Sequence, residues 1–268
     1  MTVITFLTDF GLQDDFVGTC HGVIAGIAPD ARVIDVTHGI APQAVLQGAL
    51  VLRQTTRYMP AGVHLAVVDP GVGGDRRAGP IRTKDGRGFV GPDNGLLMLA
   101  ADEAGVDRAH ALEDQAYRLP EVSRTFHARD LFSPAAAHLA AGVPLERLGP
   151  AVDPSTLVRI ELPEPEVGRT QVSATVLGVD RFGNVATNVR RSHVERLGLE
   201  NGDHVEIRLT LDRYFAVVAN TFADAAPGEL ILYEDSYGNL ALAITGGDAA
   251  RMLQAAPGQP VLITAAPH

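Results

Sequence analysis

Two strings place acid–base side chains close together in the chain. Asp69-Pro-Gly-Val-Gly-Gly-Asp-Arg76 supplies a carboxylate and a guanidinium, and Thr125-Phe-His127-Ala-Arg129-Asp130 supplies an imidazole. Such a set can orient a water and accept its proton: carboxylate and imidazole accept, whereas a guanidinium only donates. A third string, Thr8-Asp9-Phe-Gly-Leu-Gln-Asp14-Asp15, ends an apolar run on Asp9. A carboxylate there can accept both hydroxyls of a ribose diol, and open α/β sheets bind ligands at the carboxyl ends of their strands. Asp14 or Asp15 is expected to cap the helix that follows. The glycines after Asp69 follow neither the GK[ST] nor the GxGxxG order, so a Gly-rich turn positioning Asp69 and Arg76 fits better than a phosphate loop.

Further on lie Val179-Asp180-Arg-Phe182-Gly-Asn184, Thr221-Phe222-Ala-Asp224 and Asp235-Ser236-Tyr237-Gly238-Asn239. Each reads as a β-turn, and turn chemistry accounts for its Asn, Asp and Gly about as well as binding does.

The elements that hold the first strings alternate. VITFLTD, RVIDVT and VHLAVVD are strand-length apolar runs, separated by helical spacing over 14–27 and 43–58. This βαβαβ pattern predicts a mostly parallel sheet covered by helices, with Asp9, Thr37 with His38, and Asp69 on one edge. The run 81–90 reads as a hairpin turning at Asp85-Gly86, Asn94 is expected to cap a helix over 95–104, and a further helix is predicted over 129–141. LPEPEVG has no apolar period and marks a linker. After it come five strand-like runs with helices only near 192–197 and 248–253. The predicted organisation is an α/β domain over 1–160, a linker over 161–169, and a smaller, mainly antiparallel β-barrel-like domain over 170–268.

Composition removes several functions. The formal net charge of −10 comes without any Lys/Arg-rich block, which argues against nucleic acid. No apolar stretch approaches the roughly 18 residues of a membrane helix, and the first residues carry no basic region of a signal peptide, so a cytoplasmic protein is expected. The single cysteine, Cys20, falls on the apolar stripe of a predicted helix and reads as an inert buried thiol.

Collinear strings over nearly the whole chain resemble the S-adenosyl-L-methionine hydroxide adenosyltransferase family, the S-adenosylmethionine hydrolases related to fluorinase and chlorinase. They are LTDFG at 7–11, VVDPGVGGDR at 67–76, GPDNGLL at 91–97, TFHARDLFSPAAAHLA at 125–140, VDRFGNVATN at 179–188, TFAD at 221–224 and DSYGNLALA at 235–243. The resemblance implies a trimer with substrate at the junction of one subunit's N-terminal domain and the next subunit's C-terminal domain. It implies that Asp69, Arg76 and His127 activate water and that Asp9 binds the ribose. Phe182, Asn184 and Phe222 would lie near the adenine, and Asp180 and Ser236 would hold the methionine amine and carboxylate. No cofactor and no metal are implied, S-adenosyl-L-methionine being the substrate.

The halogenating branch of that family differs at defined places. Its members lack the acid at Asp69, carry a serine where this chain has Ala128, and in the fluorinase have a long insertion where this chain has only the 81–90 hairpin. Tyr237 and Gln43 stand where a fluorinase has Arg and Trp. The expected reaction is therefore attack of water at ribose C5′ with methionine leaving as a neutral thioether, which needs no acid for the leaving group. Alternatives are a halogenase, a metal-dependent hydrolase built on Asp9, Asp69, His21, His38 and His127, and a non-catalytic nucleoside-binding regulator.

Overall fold

A computed structural model describes residues 2–209 and 211–265. The chain divides into two compact units, Met1–Ile160 and Glu161–His268.

The first unit runs β1 (Val3–Thr8), α1 (Phe16–Ile27), β2 (Arg32–Thr37), α2 (Val45–Thr56), β3 (Val63–Val67), β4 (Ala78–Thr83), β5 (Gly88–Pro92), α3 (Met98–Ala104), β6 (Val106–His110), α4 (Ser133–Ala140) and β7 (Ala151–Val152). The sheet order is β2-β1-β3-β5-β4-β6-β7. β2, β1, β3 and β5 are parallel, and the 81–90 hairpin joins β4 to β5 antiparallel. Because β1 and β3 pair with Thr8 opposite Val67, the chain leaves both strands at the same edge, carrying Asp9 and Asp69 with it. The central strands β1, β3 and β5 are buried on both faces because each face is covered. One core layer joins Ile4, Phe6, Leu65 and Val67 to Cys20 and Ile24 of α1 and Ala135–Ala137 of α4; the other joins Leu7, Ala66 and Phe89 to Leu52 of α2 and Leu97.

Three local expectations are corrected. Asp15 occupies the N-cap position of α1 but makes no capping bond; its Oδ2 instead accepts the Thr19 hydroxyl at 3.0 Å. Asn94 does not cap α3, which starts at Met98. Its Oδ1 accepts the Leu96 N–H and its Nδ2 donates to the Val68 carbonyl at 2.9 Å, tying the loop to the strand end that carries Asp69. The helix expected over 129–141 begins as a π-helical turn, Ala128–Phe132, before α4. Such turns insert a residue into the helical ladder and re-aim the side chains at its start, here just after His127.

The second unit contains β8 (Glu166–Val167), β9 (Gln171–Val179), β10 (Val185–Thr187), α5 (Arg191–Glu195), β11 (His204–Leu209), β12 (Asp212–Ala219), β13 (Leu230–Glu234), β14 (Leu240–Ile244), α6 (Ala249–Leu253) and β15 (Pro260–Ala265). The order β10-β14-β13-β12-β11-β15-β9, closed by β10 with β9, makes a seven-stranded barrel. Closure leaves no exposed edge among these strands. Pairing is antiparallel except between β12 and β13, which run parallel, so the barrel is mixed. β8 lies inside the stretch expected as a linker and pairs with β9. Val172, Val205, Ile207, Val218, Leu232 and Ile263 fill the interior, each alternating with outward residues along its strand.

Candidate active site

Asp69 lies just past β3, where the strand ends and the Gly-rich segment turns. Successive turns fold this segment back, with Val72 N–H donating to the Asp69 carbonyl and Gly74 N–H to the Gly71 carbonyl. Gly73 has φ +77°, and a Cβ there would come within 2.3 Å of the Arg124 carbonyl oxygen. Only glycine permits both this conformation and this approach, which docks the turn under the segment carrying His127.

The folded turn sets Arg76 against Asp69. Arg76 Nε donates to both carboxylate oxygens at 3.0 Å, and Nη2 also donates to Oδ2. The pair is largely shielded, at 12% and 6% side-chain exposure, so its charge-assisted bonds work in a medium of low dielectric. Nη2 also donates to His127 Nδ1 at 2.8 Å, while the guanidinium carbon sits 5.2 Å from the centre of the Phe132 ring. The structure thus joins Asp69, Arg76 and His127 through one guanidinium. Burial, and then the Arg76 charge, hold His127 below the ordinary imidazole range, with Asp69 and Asp130 opposing less strongly.

A group missed by the sequence reading supports this arrangement. Asp130 is fully buried; its oxygens accept Arg129 Nε at 2.6 Å and the Ser123 N–H at 2.8 Å, bracing the turn around His127. The side-by-side Arg129-Asp130 pair was visible in the sequence, but nothing there distinguished it from a surface ion pair.

Asp9 follows β1 on the same sheet edge. Its Oδ2 accepts the Gln43 N–H at 2.8 Å, and no partner is formed at Oδ1 among the described residues. Gln43 has φ +66°, a left-handed conformation uncommon outside glycine. The backbone is held there in a strained form that points its N–H at Asp9.

In the second unit each of the three turns is organised by its own acidic side chain. Asp180 Oδ1 accepts the Phe182 and Asn184 N–H groups at 2.8 and 2.9 Å, and Asn184 Nδ2 donates to Oδ2 at 2.7 Å. The Asp180 carboxylate therefore shapes its own turn, leaving Phe182 projecting at 77% exposure. Asp235 does the same for its neighbours, accepting the Tyr237 and Asn239 N–H groups and leaving Ser236 exposed. Phe222 packs against Tyr233 with ring centres 4.9 Å apart. Burial first, then the charges of Asp180 and Asp235, push the Tyr233 hydroxyl up to about 12. Tyr233, which the sequence reading did not select, thus packs on the Phe222 turn and feels the charges of the other two. In the sequence it is one more residue of an apolar strand.

Of the metal-hydrolase set, His21 and His38 cluster with Asp35, without Asp9, Asp69 or His127. Cys20 is fully buried and burial pushes its thiol up to about 11, which keeps it protonated. No helix among the described residues is long and apolar enough to cross a membrane.

Comparison with known proteins places the chain in one family. The SAM hydroxide adenosyltransferase N-terminal domain model matches residues 4–149, and the corresponding C-terminal domain model matches 174–262. The chain is 48% identical over 263 residues to an (R)-S-adenosyl-L-methionine hydrolase of Salinispora tropica, covering 98% of this chain and 97% of that one. It is 39% identical to the protein of that name from Thermus thermophilus, covering 97% and 99%. A fluorinase of an Actinoplanes species is 31% identical over 98% of both chains. A crystal structure of an uncharacterized conserved protein from Thermotoga maritima superposes with a TM-score of 0.91 at 38% identity, covering 97% of this chain and 99% of that one. The chain belongs to the SAM hydroxide adenosyltransferase family.

Proposed function

We propose that this protein hydrolyses S-adenosyl-L-methionine to adenosine and L-methionine, with Asp69, Arg76 and His127 activating the water. The observation that carries the residue assignment is the single Arg76 guanidinium bonded to both Asp69 and His127.

The chemistry follows from donor and acceptor roles. Water oxygen attacks ribose C5′, the C5′–S bond breaks, and its electron pair leaves on sulfur as the neutral thioether of methionine. One proton must leave the water. Arg76 can only donate, so His127 Nδ1 accepts, and the neutral ring carries its proton on Nε2. That edge of the ring orients water as a donor. Asp69 is left to take the proton, since two carboxylate oxygens offer more acceptor sites than Arg76 occupies. Holding oxygen, C5′ and sulfur in line supplies much of the remaining acceleration, up to ~7–11 kcal/mol in favourable cases.

Asp9 binds the ribose hydroxyls through Oδ1, with Oδ2 fixed by Gln43. Phe182, Asn184 and Phe222 receive the adenine, and Asp180 and Ser236 the amino-acid end. Because Asp180 is already committed to its turn, its contribution to an ammonium group is negative charge and a remaining lone pair. The active assembly is a homotrimer in which one subunit's Asp69 set meets the next subunit's Phe182 and Phe222 turns, and it works in the cytoplasm without nucleic acid, membrane or cofactor.

The reading favours hydrolysis over halogenation because Ala128 is buried and has no hydroxyl to offer a halide, while Asp69 puts negative charge beside the nucleophile. The test is incubation of chelator-treated protein with S-adenosyl-L-methionine in oxygen-18 water, with parallel chloride and fluoride arms. Label in the adenosine 5′-hydroxyl is expected throughout. A halogenated nucleoside as main product, or methylthioadenosine with homoserine lactone, overturns it.

A further inference from the structure

We infer that His21, Asp35 and His38 form a binding site for a divalent transition-metal ion of the zinc type. This site shares no residue with the proposed hydrolytic set, and its failure would leave that reading untouched.

Helix α1 and the end of β2 converge to make it. His21 projects from α1, Asp35 belongs to β2, and His38 follows directly on β2. His21 Nε2 lies 2.9 Å and His38 Nε2 3.1 Å from the same oxygen, Asp35 Oδ1, and one ligand atom from each residue falls within 4.8 Å of the others. Zinc bonds of about 2.0–2.1 Å in a tetrahedron set neighbouring ligand atoms roughly 3.3 Å apart, so small side-chain adjustments accommodate the ion. Two imidazoles and one carboxylate with solvent access for a fourth ligand are a donor set suited to zinc, cobalt or nickel rather than to magnesium or calcium.

His38 provides a second and independent observation. Its side chain is 3% exposed, and Nε2 makes no hydrogen bond despite its approach to Asp35. A buried ring nitrogen left without a partner is costly, and an ion ligated there removes the cost. Nδ1 is 2.8 Å from the hydroxyl of Thr8, itself fully buried. With Thr8 receiving the Nδ1 proton, the Nε2 lone pair faces the cluster, the arrangement in which metal-bound histidines are held by a second partner. The Phe6 ring packs against both imidazoles, at 4.9 Å from His38 and 5.9 Å from His21, and limits their rotation.

The position suggests what the ion does. It clasps α1 to β2, an edge strand of the sheet. The carbonyl of His38 also accepts the Gly11 N–H at 2.7 Å, so the clasp bears on the loop that carries Asp9. Its role is to stiffen this corner of the unit, with no part in generating hydroxide.

The experiment uses the full chain after chelator treatment, titrated with Zn²⁺ by calorimetry and with Co²⁺ by visible absorption. One equivalent per chain is expected, with the intense d–d bands of a four- or five-coordinate ion and a rise in Tm at saturating Zn²⁺. His21→Ala and Asp35→Asn change partly exposed side chains and should weaken Zn²⁺ binding at least about tenfold and abolish the bands. Absence of a stoichiometric site in the unsubstituted protein, or unchanged affinity and spectrum in either variant, overturns the assignment.

Discussion

Arg76 donates from Nη2 to Nδ1 of His127 over 2.8 Å, and this one bond dictates where the imidazole keeps its proton. Protonating Nδ1 would set two donors against each other. Burial and the Arg76 charge both disfavour that form and lower the His127 pKa. The acid limb of kcat/KM should therefore lie below the usual imidazole value of about 6.5, with activity lost only as pH falls past it. A pH–rate profile checks this; a limb above that value would contradict the proposed tautomer.

Asp69→Asn should lower kcat by ~10²–10⁴, the range for a lost acid–base group, with little change in substrate Kd. His127→Ala should also lower kcat, by less, because in the proposed mechanism it removes an orienting donor rather than the proton acceptor. Single-turnover rates paired with equilibrium binding separate the two effects. Equal kcat values for Asp69→Asn and unsubstituted protein would remove Asp69 from the chemistry.

Asp9→Ala should act mainly on binding, since a carboxylate chelating the ribose hydroxyls does so in ground and transition states alike. Replacing the substrate by its 2′-deoxy analogue should then cost the variant less than it costs the unsubstituted protein. A double comparison of Kd values measures this, and equal losses would make Asp9 a turn residue.

A site shared between subunits predicts complementation. Asp9→Ala and Asn184→Ala chains, each impaired alone, should regain activity when mixed into common trimers, because some interfaces then carry neither substitution. Mass spectrometry of the mixed assemblies verifies exchange. No recovery in verified mixtures would place the whole site in one chain.

His64 gives a prediction about stability rather than turnover. It is fully shielded between strands, its Nδ1 is 2.8 Å from the Thr5 hydroxyl, and burial, then the charge of Arg87, lower its pKa from 6.5 to about 4. Between those values the unfolded chain binds a proton that the folded chain refuses. Stability from this group is therefore intact above about pH 6.5 and falls as pH drops toward 4, by roughly 3 kcal/mol in all. Denaturant melts of the His64→Asn variant against the unsubstituted protein should show a shallower acid decline in the variant.

Much of this molecule is legible in its sequence because the signals are local. Apolar runs of strand length ending at Asp9 and Asp69, with helical spacing between, dictate parallel neighbours whose carboxyl ends share an edge, and the Asp85-Gly86 turn closes its hairpin. The acid–base types needed for water activation, and the Asp-Asn-Gly turns of the second unit, can likewise be read from residue identity. Other features depend on contacts between segments far apart in sequence. The partner of Arg76 across to His127 is set by the docking of the Gly73 turn beneath Arg124, and no periodicity encodes that. The meeting of His21 with Asp35 and His38 depends on which face of α1 turns toward β2, and the contact of Phe222 with Tyr233 on the register of β13 in the barrel. Parallel pairing of β12 with β13 was equally hidden, because strand direction within a closed barrel is chosen by the connections and by closure rather than by alternation along either strand. Residue types limit which reactions the chain can perform; only tertiary packing assigns each donor its acceptor, because hydrogen-bond geometry is satisfied in space and leaves no repeating trace along the chain.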